Sequence, residues 1–127
     1  MAVSGVVNGT PGHFTALAVA ALQMIVAASN TLDPLGRPVV VRAGIACGAV
    51  VAGVLGGRVP HYDVWGPCVN LASRLQAIAP SQRLCVDRAS AERLDERFML
   101  DPVGPHQLKG VGTLDVFLVE RRPLPLT

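Results

Sequence analysis

Lysine is nearly missing from this chain of 127 residues: Lys109 stands alone among 11 basic side chains. Aromatic residues make up 4% and charged residues 16%, so no basic block interleaved with aromatics exists. That absence excludes the electrostatic footprint of a nucleic-acid binder. The acidic residues form no tail. Only three cysteines occur, Cys47, Cys68 and Cys85, and no C-x-x-C joins them. An odd, dispersed set argues against a disulfide framework and against a zinc site. They read as small buried residues of a reducing compartment. His13, His61 and His106 share no ligand spacing, and neither H-E-x-x-H nor G-x-S-x-G is present. "GAVVAG" at 48–53 has the glycine spacing of a phosphate loop. Val54 and Leu55 follow instead of Lys and Ser/Thr, so that reading fails.

Long apolar runs are also lacking. "ALAVAALQMIVAA" at 16–28 is too short for a membrane span and contains a Gln. No Lys or Arg precedes Arg37, so the charged region of a signal peptide is missing. The expected element is a buried helix of a cytoplasmic protein, with no membrane partner.

What is present is aliphatic. Half of the residues are hydrophobic, and the mean hydropathy is +0.44. At this length the chain is at most one domain. High hydropathy in so small a domain suggests a face meant for a partner.

Residues 1–7 read as the end of a strand, and "NGTPG" at 8–12 as a turn. A first helix covers 13–29, apolar nearly all round. A β-branched strand covers 39–48, and "AVVAGVLGG" continues it with a bend at Gly53. "RVPHYDVW" makes a turn and a short strand. Gly66 and Pro67 open a second helix, which Pro80 ends. At 100° per residue, Cys68, Leu71, Ala72, Leu75, Ile78 and Ala79 share its buried arc. Asn70 and Arg74 project together from the other side. "RLCVDRAS" holds a short strand. "SAERLDERF" is a polar helix with Ser90 as its N-cap. Residues 106–120 read as strand, glycine turn, strand, and residues 121–127 as a tail.

"HYDVWGPCVNLASRL" at 61–75 concentrates the scarce polar and aromatic residues. With the strand before it, the block 41–77 resembles the central signature of the class III nucleotidyl cyclases. That pattern is a hydrophobic-Arg-x-Gly-Ile strand, Gly-x-Val-x-x-Gly, then Tyr-Asp-x-Trp-Gly-x-x-Val-Asn-x-Ala-x-Arg. "LKGVGTLDVFLV" at 108–119 resembles the family's closing strand, and "MAVSG" the segment just upstream of the first helix. The likeness covers about residues 1–120, a partial catalytic domain.

The resemblance implies an α+β fold: a truncated ferredoxin-like class III cyclase catalytic domain lacking its first two strands. It implies conversion of ATP to 3′,5′-cyclic AMP and pyrophosphate. Asp63 matches the reader of the adenine amino group and Lys109 the holder of the outer phosphates. Asn70 matches the residue that orients the ribose, and Arg74 the one that stabilises the transferring phosphate. Taken singly, Asp63 is equally a turn or cap residue. Asn70 and Arg74 are then an exposed helix face, and Lys109 solvated surface. Their joint register makes them a site. The chemistry suits the residue types, since cyclisation builds negative charge on phosphate oxygens and a guanidinium fork meets it.

The family uses Mg²⁺ or Mn²⁺ held by two Asp residues that fall upstream of the segment matching "MAVSG". No metal ligand is therefore expected in residues 1–127. The implied partners are ATP and a second cyclase domain, as homodimer or heterodimer. The lone chain is expected to be inactive and marginally stable. The alternative is a non-catalytic or complementing subunit that binds ATP or pairs with a metal-bearing cyclase domain.

Overall fold

A computed structural model describes residues 1–126. Helix α1 spans His13–Ser29. Strand β1 spans Ala43–Ile45, and Val51–Leu55 (β2) pairs antiparallel with His61–Trp65 (β3). Helix α2 covers Pro67–Ile78, followed by β4 (Leu84–Asp87) and a single-turn α3 (Arg88–Ala91). The long hairpin of β5 (Phe98–Leu108) and β6 (Gly112–Arg121) closes the fold.

The main sheet runs β1-β4-β6-β5, with β1 parallel to β4 and the other pairs antiparallel. One helix covers each face. On one side Phe14, Ala18 and Ile25 of α1 pack against Ile45, Leu84, Val86 and Val119. On the other, Leu75 and Ala79 of α2 pack against Cys85, Val116, Leu118 and Leu108. Every residue of β4 is buried, because its alternate side chains serve both layers. Each fully buried aliphatic side chain contributes about 1.5–3 kcal/mol.

Both long helices and β3 lie where the residue pattern puts them, but four expectations need correction. Residues 1–7 join no strand and only bend at 5–7. Residues 51–55 do not continue β1. The chain leaves the main sheet after Ile45, and Gly53 sits in unbroken register opposite Asp63. A Cβ on Gly53 would meet the Trp65 ring at 3.8 Å, an ordinary contact distance. The polar helix is one turn long and starts earlier. Asp87 is its N-cap, accepting from the Ser90 amide at 3.2 Å. Ser90 is fully buried. Its hydroxyl is occupied with Cys47, whose amide donates to it at 3.2 Å. Finally, the closing hairpin begins at Phe98, not at 106. Pro102 and Pro105 disguise β5, and both are tolerated because β5 is an edge strand with an irregularity between Pro102 and Gly104.

Candidate nucleotide site

The turn from β3 into α2 sets the site. Gly66 is the N-cap of α2 with φ 147°, a conformation reserved for glycine. A Cβ there would also stand 3.1 Å from the Ala49 carbonyl oxygen. Pro67 follows at N1, where a missing N–H costs nothing. The buried side of α2 is centred on Leu75, with no exposed surface, and Ala79. Asn70 and Arg74 therefore stand exposed on the opposite side, one helical turn apart.

Asp63 lies in β3, half-buried, and its Oδ1 accepts from the Val64 amide at 2.8 Å. By strand alternation it shares a face of the β2–β3 hairpin with Val51 and Trp65. Lys109 is exposed in the β5–β6 turn. It follows Leu108, which is buried in the same cluster as Leu75 and Ala79. The fold thus brings the Lys109 turn to the layer of the sheet that α2 occupies. No hydrogen bond or ion pair joins any two of these four residues among the described residues.

Arg74 differs from the arginines that hold the surface together. Arg83 pairs with Glu120 at 3.0 Å and Arg88 with Asp115 at 2.9 Å. Arg97 pairs with Asp95, whose carboxyl this guanidinium holds below the usual range. Such exposed pairs contribute little each. The Arg74 guanidinium has no acidic partner among the described residues, so its donor fork is free for an anion.

The three thiols are free. Burial pushes Cys85 up to about 11, and burial first, then the neighbouring Cys47 and Asp87, raises Cys68. Neither is an activated nucleophile. Among the described residues no three His, Cys, Asp or Glu side chains converge as a metal cage. Of the four candidate residues only Asp63 carries a carboxylate, so they do not make a donor set that fits the Mg²⁺ or Mn²⁺ of the family. One position of structural weight escaped the pattern reading: Gly44, over which the α2 backbone lies directly. A glycine inside a β-branched strand was its signal.

Residues 1–121 match the family described as adenylate and guanylate cyclase catalytic domain. The chain belongs to that family. It is 42% identical over 123 residues to an adenylate cyclase of Mycobacterium tuberculosis, covering 96% of this chain and 28% of that protein. It is 29% identical over 124 residues to the soluble guanylate cyclase gcy-34 of Caenorhabditis elegans, covering 95% of this chain and 18% of that one. Among solved structures, the guanylate cyclase domain of RhGC from Catenaria anguillulae, in complex with GTP, superposes with a TM-score of 0.85 at 24% identity. There the match covers 94% of this chain and 66% of the solved one. The α+β fold is that of a cyclase catalytic domain, and the chain spans less than a third of the curated relatives it matches. No helix is long and apolar enough to cross a membrane among the described residues.

Proposed function

We propose that residues 1–120 are the nucleotide-contacting part of an adenylate cyclase site shared with a second cyclase domain in a cytoplasmic dimer. In that reaction the ribose 3′-oxygen of ATP attacks the α-phosphorus and loses its proton. The bond to the β-phosphate breaks, and pyrophosphate leaves with its electron pair. Asp63 accepts from the adenine amino group, a contact that guanine's carbonyl cannot make. Asn70 orients the ribose. Arg74 meets the charge growing on the α-phosphate, and Lys109 holds the outer phosphates. The Mg²⁺ or Mn²⁺ that the family uses would come with the second domain.

The observation that supports this most is the free Arg74 guanidinium one turn from Asn70 on an exposed face. A guanidinium and an amide one turn apart, with no salt-bridge or hydrogen-bond partner among the described residues, are open to a ligand. The relatives include both adenylate and guanylate cyclases, and Asp63 is the reason to choose ATP.

The test is complementation. A cyclase domain that keeps its metal ligands but has lost its own counterparts of Asn70 and Arg74 is mixed with the chain. ATP or GTP is then supplied with Mn²⁺. Cyclic AMP from the mixture, in excess of cyclic GMP and from neither component alone, is the expected result. No gain in either product, or a preference for cyclic GMP, overturns the reading.

A further inference from the structure

Two of the three free thiols face one space. Cys47 and Cys68 are both half-buried, and both line a cavity of about 370 Å³ that the first turns of α1 and α2 also line. Cys85 lies elsewhere, 1% exposed, in the cluster around Leu75 and Leu118. The Cys68 thiol donates to the Ala46 carbonyl at 3.4 Å. A Cβ on Gly48 would stand 3.1 Å from the Cys68 Cβ and 3.7 Å from its sulfur. Ala46 and Gly48 are the chain neighbours of Cys47, so the Cys68 side chain lies along the Cys47 main chain. The Cys47 sulfur accepts from the Ser90 hydroxyl at 3.6 Å.

The two positions also bracket the candidate site. Residues 47–68 contain the whole β2–β3 hairpin, which carries Asp63. They end in the first turn of α2, which carries Asn70 and Arg74. The contacts across the base of this excursion are non-covalent. They are the Cys68 thiol on Ala46 and the close approach of Gly66 to the Ala49 carbonyl. A disulfide is more demanding, with sulfurs about 2.05 Å and Cβ atoms about 3.8 Å apart. Closing one here draws the first turn of α2 against residues 46–48.

We propose that Cys47 and Cys68 form a thiol–disulfide switch on this site, oxidised by a low-molecular-weight disulfide and reset by thiols. Cys47 turns away from Ser90 about its Cα–Cβ bond, loses its proton and attacks one sulfur of the reagent. A first thiolate leaves with the electron pair. Cys68 then loses its proton and attacks the Cys47 sulfur, and a second thiolate leaves. The two thiolates take up the two protons, so the cysteine pair gives up two electrons and the reagent becomes two thiols. Burial raises the Cys68 thiol, and the nearness of Cys47 raises it further, which makes Cys68 the second of the pair to react. The bridge shifts Asn70 and Arg74 and slows the reaction. That effect on rate rests on the function proposed above; the bridge itself does not.

The test uses the full 127-residue chain with glutathione disulfide under native conditions. Trypsin cuts after Arg42, Arg58, Arg74 and Arg83, so each cysteine falls in its own peptide. Without reductant, peptides 43–58 and 59–74 should be recovered joined, and dithiothreitol should part them. Cys85→Ala should keep the link, and Cys47→Ser and Cys68→Ser should each lose it. Glutathione adducts without an internal link overturn the switch, as does a link through Cys85 or one only between two chains. The oxidised chain, freed of reagent, then enters the complementation assay. Cyclic AMP formation should fall at least about tenfold, the scale of a displaced positioning group, and return with dithiothreitol. The double variant Cys47→Ser, Cys68→Ser should be indifferent to the same treatment. A linked chain with an unchanged rate overturns the switch. Absence of product from the reduced chain as well refutes the proposed function, and the peptide map alone then decides the bridge.

Discussion

Gly44 of β1 lies directly beneath Ala72 of α2: a Cβ on Gly44 would stand 2.5 Å from the Ala72 carbonyl oxygen and 2.8 Å from the Leu75 carbonyl carbon. The obstacles are backbone atoms of a helix, so no rotamer change relieves them. That contact fixes the height of α2 above the sheet, and with it the position of Asn70 and Arg74.

Gly44→Ala should therefore destabilise the chain by about 2–3 kcal/mol, in the overpacking range. The denaturant midpoint checks it. Nucleotide complementation should fall in parallel, because the helix that carries the site is displaced. Gly56→Ala, at a loop position with open space around it, is the control and should change neither.

Arg74→Ala should leave folding untouched, since the side chain is exposed and has no acidic partner among the described residues. In the complementation assay it should lower kcat by about 10²–10³-fold, as loss of one fixed donor to developing charge does. Arg74→Lys should recover only part, because an ammonium lacks the planar fork. Steady-state rates of cyclic AMP formation, beside circular dichroism of each variant, separate chemistry from folding.

Much of this molecule was readable from residue pattern because local signals and tertiary demands agree there. The Gly66–Pro67 start of α2 and its apolar arc around Leu75 are local, and the structure keeps both. The same pattern placed Asn70 and Arg74 on the outer face. Three features depended on contacts distant in sequence. Phe98–Pro102 is a strand because β6 pairs with it, against the local preference of Pro102. Asp87, not Ser90, caps α3 because Ser90 is drawn into the core toward Cys47, 43 residues away. Residues 1–7 have strand-like composition, but no neighbouring strand offers them a ladder, and composition alone does not supply one.

Asp87→Ala removes the side chain that receives the Ser90 amide in a buried setting. The expected cost is about 1–2 kcal/mol, the upper part of the capping range. Asp87→Asn keeps the acceptor and should cost less than half as much. Urea titrations of the two variants give the comparison directly. Equal losses would mean that the charge of Asp87, and not its capping oxygen, carries the contribution.

Cys85 gives the chain an alkaline limit. Its thiol is buried in β4, and burial raises its pKa to about 11, against roughly 8.5 in an unfolded chain. The native state then holds a proton that the unfolded state releases, so stability is intact below about pH 8.5 and declines as pH rises toward 11. The decline should be on the order of 3 kcal/mol across that window. Cys85→Ala should start from a lower plateau, because it opens a small cavity beside Leu75 and Leu118. Its stability should then change less with pH over the same range. Unfolding free energies of both proteins at pH 8, 9.5 and 11 test this. Parallel curves would show that another group, and not this thiol, sets the alkaline edge.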